Sequence, residues 1–294
     1  MTTKSGFVSI VGRPNVGKST LLNSIIGQKV AIVSDKPQTT RNRIQGIYTG
    51  EQGQVIFIDT PGVHKPKHRL GEYMVDITSR ALREVDVILY VVDASVSPGS
   101  GEDYIINTLV NIETPVFLVP NKIDLVNESQ VLELIQQLAT KMNFAEVIPV
   151  SAAKKGNLDR LMEVLFSYLP EGPLYYPEDE YTDQPERFII AEYIREKALH
   201  LTREEVPHSL AVEIEEFESR RNLIYVRAAI YTERDSQKGI IIGKQGSMLK
   251  KIGEMARHDI ENLLGTQVYL ELWVKVKKDW RNSEAQLKNL GYRY

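Results

Sequence analysis

The sequence predicts an α/β domain built on a mostly parallel sheet, followed by a smaller α+β domain. Three observations carry this. A glycine-rich turn, Gly12-Arg13-Pro14-Asn15-Val16-Gly17-Lys18-Ser19, stands between an apolar run over residues 7–11 and a helical pattern over residues 20–26 that opens on Thr20. After it, short apolar runs alternate with helical patterns as far as residue 169. A stretch with three prolines and three tyrosines then separates that alternation from a second set, ordered helix, two strands, two helices and one strand. The predicted boundaries are residues 5–170 for the first domain, 171–185 for a linker, 186–280 for the second domain and 281–294 for a C-terminal tail.

Composition narrows the class. The 294 residues suffice for two cores, and 42% hydrophobic with 26% charged residues is the balance of a globular protein. With no cysteine, a disulfide framework and a cysteine zinc site are excluded, and a reducing compartment is the natural setting. Residues 87–92 form the longest apolar stretch, too short to span a bilayer, and residues 1–6 lack the apolar core of a secretory signal. A cytoplasmic location is expected. The five histidines show no metal-ligand spacing. The net charge of −3 is unevenly spread, because from Lys238 onward eleven Lys and Arg face six acids, leaving +5 there and −8 before it.

The glycine turn has the makings of a phosphate-binding loop. Gly12 and Gly17 let the backbone curl so that successive N–H groups face phosphate oxygens, at the positive end of the following helix. Lys18 would reach the β- and γ-phosphates, and the Ser19 hydroxyl would ligate Mg²⁺. Residues 29–40 form a polar loop ending in Thr39-Thr40-Arg41, and from the residues alone either threonine can sense a γ-phosphate through the metal. Strands are predicted over residues 44–48 and 54–58, the second running into Asp59-Thr60-Pro61-Gly62. There the carboxylate can hold Mg²⁺ through water and the Gly62 N–H can touch the γ-phosphate.

A helix over residues 69–82 and strands over 85–93 and 115–120 follow, the last leading into Asn121-Lys122-Ile123-Asp124. The Asp124 carboxylate can accept two hydrogen bonds from the ring N–H and exocyclic amine of guanine, whereas adenine would leave it badly paired. Asn121 would brace this loop and the Lys122 stem would cover the base. A helix over residues 128–142 and a strand over 146–150 lead to Ser151-Ala152, where the Ala152 N–H can meet the guanine keto oxygen. A helix over 157–169 closes the domain.

These four segments stand in the order and spacing of the Ras-like GTPases, which the first 170 residues resemble. The resemblance implies GTP and GDP as ligands with Mg²⁺ as metal, held by Ser19, Thr40 and Asp59, and it favours Thr40 over Thr39. One departure stands out: Val63 occupies the place where Ras-type enzymes carry the glutamine that orients the attacking water. Asn15 lies where some related GTPases hold K⁺ with an amide oxygen, which makes it, with Lys18 and Thr40, a candidate for charge stabilisation in hydrolysis. The alternative is that it only braces the loop.

In the second domain, Ile242-Gly243-Lys244-Gln245-Gly246 joins two helices, and the order of elements resembles a KH domain of the prokaryotic topology. The glycines admit a sugar-phosphate backbone, Lys244 and Lys250 supply charge, and Ile241 or Ile242 offers apolar surface to splayed bases. A Ras-like GTPase joined to such a domain resembles the Era family, bacterial GTPases of small ribosomal subunit assembly. That resemblance implies GTP hydrolysis, binding of small-subunit ribosomal RNA near its 3′ end and of the 30S subunit, and peripheral contact with the inner membrane face. No DNA partner is expected. The alternative is a non-hydrolysing, GTP-gated RNA adaptor.

Overall fold

The computed structural model describes residues 3–62, 66 and 68–292. The chain divides into two compact units, one of Met1–Val33, Thr40–Pro66 and Gly71–Asp183, the other of Ser34–Thr39, Lys67–Leu70 and Gln184–Tyr294.

The first unit contains β1 (Lys4–Val11), α1 (Lys18–Ile26), β2 (Ile44–Gly50), β3 (Gly53–Asp59), α2 (Arg69–Ala81), β4 (Val87–Asp93), α3 (Ser100–Leu109), β5 (Val116–Asn121), α4 (Glu128–Ala139), β6 (Glu146–Val147) and α5 (Leu158–Tyr168). Its sheet runs β2-β3-β1-β4-β5-β6, and β2 alone is antiparallel to its neighbour. Burial is continuous or nearly so along β1, β3, β4 and β5 rather than alternating, as in a sheet covered on both faces. Val8, Ile10, Phe57, Leu89 and Phe117 are fully buried, each contributing roughly 1.5–3 kcal/mol of transfer free energy. The central parallel strands all end on the side where the loops after β1, β3 and β5 gather, the edge at which α/β sheets bind ligands.

Residues 146–150 are expected as one strand, but regular pairing stops at Val147. Pro149 has no N–H to give the ladder, and Ile148 and Val150 still donate to Leu118 O and Pro120 O at 2.9 and 2.7 Å. No element is expected between β4 and β5, and the structure places α3 there. Its face of Ile105, Ile106 and Leu109 packs with Ile88, Tyr90 and Val116. Its opening, Gly99-Ser100-Gly101, has low helix propensity; Glu102 offsets this by accepting the Gly99 N–H at 2.9 Å.

Residues 171–183 lie on this unit. Gln54, wholly buried, accepts the Tyr175 and Tyr176 N–H groups and donates to Tyr176 O, and the Tyr175 ring stands 5.0 Å from that of Phe7. Farther along, Ile47 donates to Tyr181 O at 2.9 Å and Thr182 Oγ1 donates to Gln45 O at 2.6 Å, along the outer edge of β2.

The second unit contains α6 (Glu186–Leu201), α7 (Val206–Ser209), β7 (Ala211–Arg220), β8 (Leu223–Thr232), α8 (Asp235–Ile242), α9 (Ser247–Leu264), β9 (Val268–Val276) and α10 (Glu284–Asn289). The sheet order is β7-β8-β9, with β7 antiparallel and β9 parallel to β8. Burial extends around α6 and includes Arg195, Glu196 and Lys197. Their charges are paired: Arg195 with Glu192 at 2.5 Å, and Lys197 with Glu196 at 2.8 Å and Asp259 at 2.6 Å. After β9 the chain folds back. Trp280 is fully buried with its indole N–H on Ser209 O at 2.9 Å, and Leu287 and Tyr292 are buried too.

Candidate functional site

In the first unit, the loop after β1 enters α1 through Gly17, whose φ of 98° is left-handed and whose added Cβ would lie 2.3 Å from Asn121 Nδ2. Both facts restrict the position to glycine. Lys18 is buried, its ammonium donating to Gly12 O at 3.1 Å and Arg13 O at 2.8 Å. Burial lowers its pKa to about 8, with the Asp59 carboxylate opposing the shift.

Ser19, Thr40 and Asp59 converge. Ser19 Oγ donates to Asp59 Oδ2 at 2.6 Å, Thr40 Oγ1 lies 3.2 Å from the same oxygen, and the two hydroxyls are 3.0 Å apart. The Thr39 hydroxyl instead donates to Lys36 O at 2.6 Å. Asp59 is fully buried, which pushes its carboxyl pKa up against the pull of Lys18. Its Oδ1 has no hydrogen-bond partner among the described residues. A buried, under-satisfied carboxylate oxygen beside two hydroxyls is a hard oxygen donor set, and it fits Mg²⁺. Thr60 is also buried and donates its hydroxyl to Ile10 O at 2.8 Å. Pro61 follows, and Gly62 lies against Pro14 of the loop. Val63 falls outside the described residues.

The base-recognition segments meet the same loop from β5. Asn121 Nδ2 donates to Val16 O at 2.9 Å, and its Oδ1 accepts the Ala152 N–H at 2.9 Å. The donor expected to meet a guanine keto oxygen is therefore engaged by Asn121 here. Lys122, at a left-handed φ of 65°, donates to Asn15 O at 2.9 Å and pairs with Asp93 at 2.5 Å. Asn15 is itself left-handed, with φ 66°. Burial pushes the Asp93 carboxyl up, but hydrogen bonds from Lys122 and Ser95 outweigh it and hold the pKa below the usual value. Asp124 Oδ1 accepts from Ser151 Oγ at 2.5 Å. Asp93 and Glu102, the partner of Arg13 at 2.8 Å, were not singled out in the sequence. An acid closing an apolar strand was the one available signal for Asp93.

In the second unit, Gly243, Gln245 and Gly246 have φ of 72°, 53° and 81°, a tight turn that exposes Lys244 and Gln245. Ile241 is core and Ile242 half-buried, so of the two only Ile242 has surface to offer. A groove of about 480 Å³ adjoins the turn, lined among others by Gly246, Leu249, Lys250, Gly253, Arg257 and Tyr269. Arg257 and Tyr269 were not read from the sequence as site residues. An outward tyrosine on the period-two pattern of β9 was the available clue.

Comparison with known proteins gives two family matches, a 50S ribosome-binding GTPase over residues 7–122 and a KH domain over residues 205–281. The chain is 60% identical over 290 residues to GTPase Era of Heliobacterium modesticaldum, covering 98% of this chain and 97% of that one. It is 57% identical over 294 residues to GTPase Era of Carboxydothermus hydrogenoformans, covering 99% of each. Among solved structures, a variant of Aquifex aeolicus Era bound to GDP and AlF4⁻ superposes with a TM-score of 0.96 at 45% identity, covering 99% of this chain and 100% of that one. Era in complex with MgGDPNP and nucleotides 1506–1542 of 16S ribosomal RNA gives the same score, identity and coverage.

Proposed function

Because the chain belongs to the Era family of GTPases, we propose that it hydrolyses GTP, binds small-subunit ribosomal RNA near its 3′ end through its second unit, and acts in assembly of the 30S subunit. Hydrolysis follows from membership of that family, and the alternative of a non-hydrolysing adaptor falls with it. The observation that carries the catalytic reading is the convergence of Ser19, Thr40 and Asp59 beside Lys18, at the end of the parallel sheet.

Ser19 and Thr40 would hold Mg²⁺ directly and Asp59 through water, and the metal would neutralise charge on the β- and γ-phosphate oxygens. Lys18, already buried and charged below pH 8, would exchange its loop carbonyls for phosphate oxygens, where it opposes charge developing in the transition state. Backbone N–H groups of residues 12–20 other than Pro14 would orient the phosphates at the start of α1, and Gly62 would meet the γ-phosphate from the β3 side. Asp124 selects guanine while Asn121, Lys122, Ser151 and Ala152 frame the base. Asn15 would stabilise K⁺ near the phosphates. No side chain is assigned as general base.

In the second unit the reading is single-stranded RNA against the turn Gly243-Lys244-Gln245-Gly246, with Ile242 and Lys250 beside it. The exposed lysines and the adjoining groove support it. No described helix is long and apolar enough to cross a membrane. Cytoplasmic location and peripheral contact with the inner membrane face belong to the same proposal. Crosslinking the protein to RNA in cells and sequencing the attached fragments tests it. Recovery centred on the 3′ end of the small-subunit RNA is expected, and recovery of unrelated RNA would overturn the target.

A further inference from the structure

The phosphate loop is fixed from two sides. Asn121 and Lys122 hold its second half through Val16 O and Asn15 O. The first half is held by an element outside every nucleotide-binding segment. Arg13 Nη1 donates to both carboxylate oxygens of Glu102 on α3, at 2.8 and 3.0 Å. The Glu102 side chain is 7% exposed and that of Arg13 37%. The acid is thus removed from water while the arginine is partly exposed, and the single Nη1 group sits between the two carboxylate oxygens in a charge-assisted contact. The Arg13 stem lies across Gly101, where an added Cβ would come within 2.7 Å of Arg13 Cδ. A larger residue there would lift the arginine off the helix. Glu102 is itself immobilised, because Oε2 also accepts the Gly99 N–H at 2.9 Å.

The backbone of Arg13 is what the catalytic lysine touches: Lys18 Nζ donates to Arg13 O at 2.8 Å. A shift of the residue 13 peptide therefore moves the carbonyl that holds the ammonium until phosphate oxygens replace it, and moves with it the loop backbone that faces those phosphates. We propose that Glu102 is a positioning residue for GTP hydrolysis, holding Arg13, and with it the first half of the phosphate loop, in the placement from which Lys18 serves the phosphates. The proposal rests on the assignment of residues 12–19 as the phosphate loop. Misplacement of a reacting group by about 1 Å can cost up to roughly a hundredfold in rate. Since the loop's other anchors remain, a smaller loss is expected here.

The experiment measures steady-state GTP hydrolysis and thermal midpoint for the full chain carrying Arg13→Gln, Arg13→Lys, Glu102→Gln and the double Arg13→Gln/Glu102→Gln. Each single glutamine variant should lower kcat about tenfold with KM for GTP within about threefold, since positioning is lost rather than binding. Arg13→Lys keeps the charge but not the planar guanidinium and should fall between. The double variant should be no slower than either single one, because both remove the same tether. Glu102→Gln also weakens the helix cap, so Arg13→Gln, which leaves the cap alone, decides if Glu102→Gln proves unstable. Rates within twofold of the parent, losses that multiply in the double variant, or losses that merely follow the thermal midpoint would each overturn the proposal. Lys18→Ala separates the two levels: full activity there would refute the phosphate-loop assignment itself.

Discussion

Ser151 Oγ donates a 2.5 Å hydrogen bond to Asp124 Oδ1, so the carboxylate proposed to select the base is steered by a residue of the loop after β6. One carboxylate oxygen is thus oriented by the protein itself. A carboxylate set against an unmatched base edge costs about 3 kcal/mol, roughly 150-fold, so ATP should bind weaker than GTP by at least that factor. Asp124→Asn should move preference toward xanthine nucleotides, whose keto group replaces the guanine amine. Competition binding with GTP, XTP and ATP measures this, and an unchanged order would refute the role of Asp124.

Lys18 gives a pH signature. In the nucleotide-free protein its pKa is lowered to about 8 by burial, and phosphate next to the ammonium raises it. At pH 6.5 the lysine is charged before and after binding, so no proton is exchanged on its account. As pH rises past about 8 an increasing share is neutral beforehand, so binding should take up a growing fraction of a proton, with affinity falling in step. Calorimetry of GDP binding without Mg²⁺, in buffers of differing ionisation enthalpy, counts the proton. Lys18→Arg, charged throughout this range, should show none.

With Val63 in place of a water-orienting glutamine, transition-state charge must be met by other groups. Asn15 sits in the loop at φ 66° with its carbonyl on Lys122. If its amide holds K⁺, turnover should be about tenfold faster in KCl than in NaCl. Asn15→Ala should abolish the difference. Equal rates in the two salts, or a K⁺ effect that survives the substitution, would end this role.

RNA binding should follow the exposed turn. Replacing Lys244 and Gln245 with aspartate, both on the surface, should leave GTP binding intact and weaken RNA affinity at least about tenfold, through repulsion and the loss of a phosphate contact. Parent affinity for a 3′-end RNA oligonucleotide should fall as salt rises. If nucleotide state controls RNA, affinity must differ between GTP and GDP forms, and RNA must shift nucleotide affinity by the same factor. Fluorescence anisotropy with each form measures both.

The residues after β9 are expected to matter for folding. Trp280→Ala removes a fully buried ring and leaves Ser209 O without its indole donor, which should cost the second unit about 3–5 kcal/mol. Denaturant unfolding followed in the far ultraviolet detects it. A loss below about 1 kcal/mol would show that the chain end packs without contributing.

Much of the nucleotide site was legible because each of its motifs joins a strand to a loop, and strands buried on both faces announce themselves as apolar runs. Gly12 to Ser19, Asp59 to Gly62 and Asn121 to Asp124 could be placed from the sequence. The choice of Thr40 over Thr39 required a resemblance, because adjacent threonines differ only in which way each hydroxyl turns. Helix α3 was missed since two glycines frame its start and its stabilising cap is a side-chain contact that no periodicity shows. Glu102 and Asp93 were hidden for a related reason: each acts on a residue far away in the chain, Arg13 and Lys122. Leu287 and Tyr292 are indistinguishable from a polar tail because isolated apolar residues carry no period.

The strap of residues 181–182 along β2 bears on how this GTPase can communicate. Many proteins recruit others by letting a foreign strand extend an open sheet, and the same openness invites self-association. Here the Ile47 N–H and Gln45 carbonyl that such a visitor would need are already bonded to Tyr181 and Thr182 of the same chain. The strand that follows Thr40 is closed to strand exchange at those two positions. A regulator recognising this enzyme's nucleotide state must read loops and side chains there, or first peel away a segment that leads directly into α6.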